Sequence, residues 1–432
     1  MMGSTSEPNG CPLTALRYIA QSYNHADSQA SALRLVLTLN PHWEGPENNI
    51  EFVRFTDGIT NTVCSELALQ EQIESKLSNS WTNWLPASQN HKSQAWLDRR
   101  TNRQRSCTDE SVRYGLAPSL LARFQNGLLY RFIRGRPATH EDLVTASIWR
   151  GVARRLGQWH AVLPIRGAAA PAQSEAENVF LNSVDVHPSK HNIDFPLIKP
   201  KQSGPSMWAV LQKWILALPS ATDEQRKRRL GLQKELEWAV SELDDGNGIG
   251  EDGVPVPSSD APVTSAGEPT TTVQFIDYEY ATPSPAAFDI ANHFAEWGGY
   301  DCDYNMMPTC AVRRQFLTEY VRSYTQHKGL PESSQKQIID RLYEDVDRFR
   351  GIPGLYWFVF PFNANIYDPV LILNRGIWAL IQAQISQIDF DYASYAETRL
   401  GEYYAWRREL DGSRAKAGEE MPLRERRWAQ EV

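Results

Sequence analysis

The sequence predicts an α+β protein with a small mixed N-terminal part and a larger, mainly helical C-terminal part. Residues from about Leu33 to Tyr130 mix short apolar runs with turns, whereas long helical patterns dominate from Ala138 onward. A chain of 432 residues is long enough for about two folding units. Its 41% hydrophobic and 22% charged residues are typical of a globular protein rather than a disordered or fibrous one.

The helical part opens with a predicted capping box. Thr139 and Asp142 have the required spacing, and apolar residues recur at helical intervals from Leu143 to Trp159. Later stretches of the same periodicity predict further helices at Trp208–Leu218, Arg226–Leu243, Val312–Gln326, Ser333–Phe349 and about Ile377–Arg408.

A polar segment interrupts these helices. Residues 244–272 are rich in Gly, Pro, Ser and Asp, with almost no large apolar side chain, which predicts a disordered loop. Val273, Phe275 and Ile276 then predict a short buried strand that ends in two acids, Asp277 and Glu279. Residues two apart on a strand share a face, so both acids suit a divalent cation or a cationic substrate. A solvated pair of hairpin acids is the alternative.

Charge and cysteine usage narrow the class of protein. A net charge of −8 argues against nucleic acid as the main partner, because phosphate binding needs clustered positive charge. Five cysteines without a CxxC pair predict reduced thiols and a cytoplasmic location. No signal peptide is expected. No membrane span is expected either, because prolines and a carboxylate interrupt the apolar stretch Gly354–Leu373.

Several common nucleotide and hydrolase motifs do not explain the chain. GxxxxGK[ST], HExxH and GxSxG are absent from the sequence. A GxGxxG string occupies residues 248–253, but it lies in the acidic polar loop instead of between a strand and a helix. A dinucleotide site is therefore not predicted.

Four sequence blocks resemble the choline/ethanolamine kinases, and their motif residues are more similar to those of the ethanolamine kinases. Residues 275–297, FIDYEYATPSPAAFDIANHFAEW, are similar to that family's signature, and residues 377–399, IWALIQAQISQIDFDYASYAETR, to its C-terminal signature. FTDGITN at 55–61 resembles its phosphate loop, and YGLAPSLLARFQNGLLYRFIRGR at 114–136 its lobe-linking segment.

The resemblance implies a two-lobed protein-kinase-like fold with an N-terminal lobe at 1–134 and a helical lobe at 135–411. A charged tail at 412–432, expected to be solvated, would follow. The implied activity is Mg²⁺-dependent transfer of the γ-phosphate of ATP to ethanolamine, with choline as the alternative substrate, in phosphatidylethanolamine biosynthesis. A homodimer is left open.

The same resemblance implies the site residues. The phosphate and ATP contacts would come from Thr56, Asp57, Gly58, Thr60 and Asn61. Asp277 would bind Mg²⁺, because hard cations prefer oxygen ligands. Acids and aromatic faces hold an ammonium group, and the implied set is Glu279, Glu296, Tyr300, Trp357, Trp378, Phe390 and Tyr395. Ordinary core packing is the alternative for the rings, and Asp289 is expected to be a helix cap or a structural partner.

Three departures from the family pattern stand beside these matches. The family's catalytic loop, His-x-Asp-x-x-x-x-Asn, is absent upstream of Asp277. In that loop the Asp accepts or orients the proton of the substrate hydroxyl, and the Asn binds a second Mg²⁺. The string that begins at His140 is interpreted as a helix start, because Ser147 occupies the Asn position. The region 64–113 lacks a convincing strand with a phosphate-anchoring basic residue, so we expect irregular or disordered structure at about 66–112.

The third departure is an insertion at 358–375, which separates Trp357 from Trp378 and contains two prolines that would break a helix. Altered splicing or an imperfect gene model would account for all three departures. Two functions follow: an ethanolamine kinase with impaired activity, or a catalytically inactive kinase-fold binding or regulatory protein.

Overall fold

A computed structural model of the chain describes residues 16–24, 27–45, 50–55, 61–68, 75–80, 115–133, 135–163, 197–198, 206–218, 220–244, 271–276, 282–358 and 392–432. The chain divides into two compact units. Unit 1 comprises Met1–Gly135 and Ile276–Glu279, and unit 2 comprises Arg136–Phe275 and Tyr280–Val432.

Unit 1 contains a six-stranded mixed sheet in the order β1-β5-β6-β4-β3-β2. The strands are β1 (Arg17–Ile19), β2 (Ile50–Phe55), β3 (Asn61–Ala68), β4 (Ser75–Ser80), β5 (Leu120–Phe124) and β6 (Gly127–Arg131). Strand β1 pairs with β5 in parallel, and the other neighbours are antiparallel. A bulge shifts the pairing of β5 with β6 between Leu120 and Ala122.

The core of unit 1 lies between the sheet and helix α1 (Ser28–Leu39). Alternate residues of β5 point into it, since Ala122 and Phe124 are fully buried. The buried turn residue Asn126 exchanges two hydrogen bonds with the backbone of Tyr23, at 2.9 and 2.8 Å. This buried amide therefore has partners for both its carbonyl and its NH₂ group.

Unit 2 is helical. Its described helices are α2 (His140–Leu143), α3 (Ala146–Val162), α4 (Met207–Ala217), α5 (Asp223–Leu243), α6 (Ala286–Ala295), α7 (Cys310–Lys328), α8 (Gln335–Phe349), α9 (Ile352–Phe358), α10 (Tyr392–Leu410), α11 (Ser413–Lys416) and α12 (Leu423–Trp428). The predicted capping box is confirmed, because Thr139 and Asp142 satisfy each other's backbone N–H groups at the start of α2. Among the described residues, every helix is too short or too polar to cross a bilayer.

Helices α3 and α7 pack closely at Gly157. A Cβ at this position would lie 2.4 Å from the carbonyl oxygen of Tyr320, so only glycine permits this approach. On either side of the contact, the Ser323 hydroxyl donates to the carbonyl of Arg154 at 2.7 Å, and the Arg154 guanidinium pairs with Glu319 at 2.8 Å. These bonds fix the two helices relative to each other.

The charged C-terminal tail differs from the sequence prediction, which expected it to be solvated. Helix α12 buries Arg424, Glu425 and Trp428. The carbonyls of Gln430 and Glu431 also accept from the first two N–H groups of α7, at 2.9 and 3.1 Å. The segment stays folded because its charged residues have buried partners of opposite sign, which the local sequence does not reveal.

The strand predicted at Val273–Ile276 is also wrong. Residues 271–276 form no strand, and Ile276 is 40% exposed. Residues 271–275 lie along α3 instead: the N–H of Thr271 donates to the carbonyl of Ser147 at 2.9 Å, and the ring of Phe275 meets Trp159 edge-on. Val273 and Phe275 are only partly buried, and the backbone pairs with a helix end rather than with a sheet.

The region expected to be irregular, about 66–112, contains ordered strands. β3 extends to Ala68, and β4 occupies Ser75–Ser80. β3 pairs with its sequence neighbours β2 and β4, whereas β4 also pairs with β6, about fifty residues later. Local apolar patterning does not indicate this pairing. The rest of that region, the predicted loop between 245 and 270, and the insertion beyond Phe358 lie outside the described residues.

Candidate functional site

Four of the predicted site residues have described side chains, and all four belong to unit 2. They are Glu296, Tyr300, Trp357 and Tyr395. Asn61 begins β3, but its side chain is not described. The remaining predicted site residues lie outside the described residues: Thr56, Asp57, Gly58, Thr60, Asp277, Glu279, Trp378 and Phe390.

The end of α6 positions the acid. Glu296 begins a short 3-10 turn, Glu296–Gly298, that follows the helix directly. Gly299 then adopts φ = 61°, a left-handed conformation that favours glycine. Tyr300 follows this glycine directly, and its side chain is exposed.

A buried arginine of α10 holds the carboxylate of Glu296. The Arg399 guanidinium, whose side chain is 2% exposed, donates to Glu296 Oε1 at 3.0 Å. A second nitrogen of the same group lies 3.3 Å from Glu402 Oε2. One guanidinium therefore serves two carboxylates, and it fixes the orientation of Glu296 while leaving the side chain 36% exposed.

Two tyrosine rings flank this pair. The rings of Tyr300 and Tyr395 meet at 62° with centroids 6.4 Å apart, a favourable edge-to-face arrangement. Tyr300 is 51% exposed and Tyr395 is 9% exposed. The guanidinium carbon of Arg399 lies 5.8 Å from the Tyr395 centroid. The structure thus brings together Glu296, Tyr300 and Tyr395.

Helix α6 holds Trp357 through Asn292, which lies one turn before Glu296. Its indole N–H donates to Asn292 Oδ1 at 2.7 Å. Helix α9, which carries Trp357, also packs tightly on α10: a Cβ at Gly354 would lie 2.4 Å from the carbonyl oxygen of Arg399. The segment that directly follows α6, helix α9 and helix α10 therefore supply the four described residues of the candidate site.

The charges around Glu296, Tyr300 and Tyr395 favour the binding of a cation. Burial raises the pKa of Glu296 above its ordinary value and Glu402 adds to the increase, whereas Arg399 opposes it. Burial also raises the pKa of the Cys302 thiol to about 11 and that of Tyr395 further still. Thiol and phenol are therefore neutral near pH 7, and the charges that remain are two carboxylates and one guanidinium. A half-exposed carboxylate beside a half-exposed ring can bind a small cation.

A second polar group links α3, α6 and α7. His160 lies between Asp289 and Tyr320, with Nε2 3.0 Å from Asp289 Oδ2 and Nδ1 2.7 Å from the Tyr320 hydroxyl. The N-terminal cap position of α6 is Pro285 rather than Asp289. Asp289 is therefore the structural partner that the sequence analysis offered as one of two roles.

Sequence reasoning missed Arg399 and Glu402 as parts of this site. Arg399 is the last residue of the C-terminal signature and lies four residues after Tyr395, so helical spacing placed both on one face. That signal was available for Arg399. Its pairing with Glu296, 103 residues away in the sequence, was not. Within the part of the chain that the structure describes, no group of three or more His, Cys, Asp or Glu side chains could hold a metal ion.

Comparisons with known proteins agree with this architecture. The family model described as choline/ethanolamine kinase matches residues 53–404. Ethanolamine kinase 1 of Mus musculus is 27% identical over 425 residues, covering 93% of this chain and 96% of that protein. Ethanolamine kinase 2 of Homo sapiens is 28% identical, with coverage of 93% and 87%.

Solved structures show the same fold. An ethanolamine kinase from Plasmodium vivax aligns with a TM-score of 0.55 at 17% identity, over 88% of this chain and 89% of that chain. A choline kinase from Cryptosporidium parvum aligns with a TM-score of 0.52 at 18% identity, over 89% and 97%. The predicted kinase-like α+β fold is confirmed.

Proposed function

This chain belongs to the choline/ethanolamine kinase family, and on that basis we propose that it is an ethanolamine kinase. It transfers the γ-phosphate of ATP to the hydroxyl of ethanolamine in the cytoplasm, giving phosphoethanolamine for phosphatidylethanolamine biosynthesis. The oxygen of ethanolamine bonds to the γ-phosphorus as the bond to the β–γ bridging oxygen breaks. ADP leaves with that electron pair, and the hydroxyl proton passes to a base or to solvent.

The observation that supports this proposal is the corner formed by Glu296, Tyr300 and Tyr395. A primary ammonium needs a carboxylate for its charge and an aromatic face for its methylene groups. Arg399 holds Glu296 in a fixed orientation at 3.0 Å, so little side-chain entropy is lost when the amine binds. The family resemblance further implies ammonium-binding roles for Glu279, Trp357, Trp378 and Phe390.

The nucleotide side of the proposal rests on residues outside the described part of the chain. Thr56, Asp57, Gly58, Thr60 and Asn61 would contact the phosphates. Asp277 would bind Mg²⁺, which neutralises phosphate charge during transfer. The carboxylate and amide oxygens of these side chains have the chemistry that Mg²⁺ and phosphate contacts require.

Turnover by this chain is expected to be severely reduced, because it has no His-x-Asp-x-x-x-x-Asn string before Asp277. Loss of a base and of a metal ligand lowers rates by orders of magnitude. The same absence favours a second candidate function, a kinase-fold binding or regulatory protein that retains the amine site without phosphoryl transfer.

A coupled ADP-release assay with ethanolamine and with choline separates the two functions. We expect slow but amine-dependent ADP release. A rate within tenfold of an intact family member would contradict the expected impairment. The absence of any ADP release would favour the binding or regulatory protein. A thermal shift with MgATP tests the nucleotide site, and light scattering tests the proposed homodimer.

The amine site has a separate test. Glu296→Gln should abolish stabilisation by ethanolamine while leaving that by MgATP. Glu397→Gln is the matched control, because this exposed α10 carboxylate pairs with Arg228 instead. Equal ethanolamine stabilisation in both variants would contradict the assignment of Glu296.

A further inference from the structure

A chain of buried ion pairs runs from Glu296 to the C-terminal segment. Glu402, already paired with Arg399, lies 3.6 Å from Arg424 Nε. Arg424 pairs with Glu425 at 2.9 Å, and Glu425 pairs with Arg350 at 3.0 Å. Arg350 then meets Asp347 at 2.8 Å. This ion-pair chain consists of Glu296, Arg399, Glu402, Arg424, Glu425, Arg350 and Asp347.

The interior of the ion-pair chain has almost no access to water, whereas its ends do. The side chains of Arg399, Glu402, Arg424 and Glu425 are 2 or 3% exposed, but Glu296 is 36% and Asp347 45% exposed. Four carboxylates face three guanidinium groups, so the chain carries a net charge of −1. A buried charge that loses its partner cannot be solvated and must draw on the next one.

The segment that supplies the middle of the ion-pair chain lies beyond the family match, which ends at residue 404. Helix α12 contributes Arg424 and Glu425, and Trp428 anchors it by donating to Asp347 Oδ1 at 2.6 Å. Resting on the proposed function, we propose that α12 is a positioning element for the amine site. Arg424 and Glu425 determine how much of the Arg399 guanidinium is available to Glu296, and thereby the pH below which the site loses its amine.

The physical reason is competition for one guanidinium. With Arg424 present, Glu402 has two positive neighbours, at 3.3 and 3.6 Å. Without Arg424, Arg399 is the one positive neighbour left to Glu402, whose other partner is the neutral Tyr304 hydroxyl. Glu402 then draws Arg399 away from Glu296. The half-exposed acid then takes up a proton at higher pH. Removing the charge of Glu425 has the opposite effect, because Arg424 is then free to serve Glu402.

Other titratable groups near Glu296 do not change between such variants. On α10 these are Tyr395 and Glu402, the latter a member of the ion-pair chain itself. The segment after α6 carries Cys302 and Tyr304, whose side chain hydrogen-bonds to Glu402. From α2, His140 lies against Gly299, where a Cβ would be 3.1 Å from its Cγ. Since every variant keeps these groups, a difference in pH dependence between variants reports on the ion-pair chain.

The test is ethanolamine affinity of the full chain, measured by calorimetry from acidic to neutral pH. Ethanolamine stays cationic over this range, because alkyl ammonium groups have a pKa of about 10. Arg424→Gln should raise the pH midpoint of binding by about one unit, which is about tenfold weaker binding below the midpoint. Glu425→Gln should lower the midpoint and provides the test if the first variant does not fold. Arg426→Gln, an exposed neighbour paired with Glu420, should leave it unchanged.

The outcomes separate this inference from the proposed function. Midpoints that match the unaltered chain in both variants would overturn the positioning role of α12. So would an equal loss of affinity at every pH, which indicates general structural damage. If the unaltered chain binds no ethanolamine at any pH, the amine site itself is wrong, and the positioning role fails with it.

Discussion

Replacing Trp428 with alanine tests whether the C-terminal segment belongs to the fold. The indole is 3% exposed. Its ring lies 3.9 Å from the guanidinium carbon of Arg313 and meets the ring of Phe294 edge-on. Its N–H donates to the carboxylate of Asp347. The substitution therefore removes a large buried ring, a cation–π contact and a charge-assisted hydrogen bond together.

The size of the effect follows from these contacts. Deleting a buried tryptophan costs about 3–5 kcal/mol of the free energy of unfolding. The hydrogen bond to a charged partner adds about 1.5 kcal/mol or more, so the expected loss is about 5 kcal/mol. At about 2–4 °C for each kcal/mol in a domain of this size class, the melting temperature should fall by at least about 10 °C.

Differential scanning calorimetry of the full chain measures this change. Leu423→Ala is the matched control, because Leu423 begins the same helix and is 63% exposed; its effect should stay within about 0.5 kcal/mol. If Trp428→Ala melts within about 2 °C of the unaltered chain, the tail is solvated as the sequence indicated, and the packing argument fails.

Two further predictions concern stability. Gly354→Ala should destabilise the chain by about 3 kcal/mol, because its methyl group would lie 2.4 Å from the carbonyl oxygen of Arg399. Gly401→Ala, in α10 with no atom within 4 Å, should stabilise it by up to ~1 kcal/mol; thermal melts that rank the two alike would contradict this packing. Burial lowers the pKa of His293 to about 4, and its Nε2 accepts from the Trp297 indole at 3.1 Å. In the unfolded chain the imidazole has its ordinary pKa of 6.5, so the contribution of His293 to the free energy of unfolding is fully present above that pH. About 3 kcal/mol should be lost as the pH falls to about 4, and urea midpoints should show this loss in the unaltered chain but not in His293→Gln.

Local patterns predicted local structure well. The capping box at Thr139 and the apolar periodicity from Leu143 to Trp159 predicted one helix, which the structure divides into α2 and α3. Helix α8 begins within two residues of its predicted start and ends at Phe349. Helical hydrogen bonds and side-chain neighbours lie three or four residues apart, so the information needed is contained in a short window.

Predictions that depended on distant partners were less successful. Strand β4 has few apolar residues and is ordered by pairing with β3 and β6. The segment Val273–Ile276 resembled a buried strand, but it forms no strand, and residues 271–275 lie along α3. Arg424 and Glu425 of the charged tail are buried because Glu402 and Arg350 pair with them. Neither pairing nor neutralisation can be read from a window of neighbouring residues.

The sequence by itself predicted the kinase family and the order of the helices, and it proposed Glu296, Tyr300 and Tyr395 as candidate site residues. Only the tertiary structure decided that Arg399 holds Glu296 and that Arg424 connects this pair to the last helix. The reason is physical. The charge state and orientation of a partly buried acid depend on which charges surround it in space, and here those charges come from residues more than a hundred positions away.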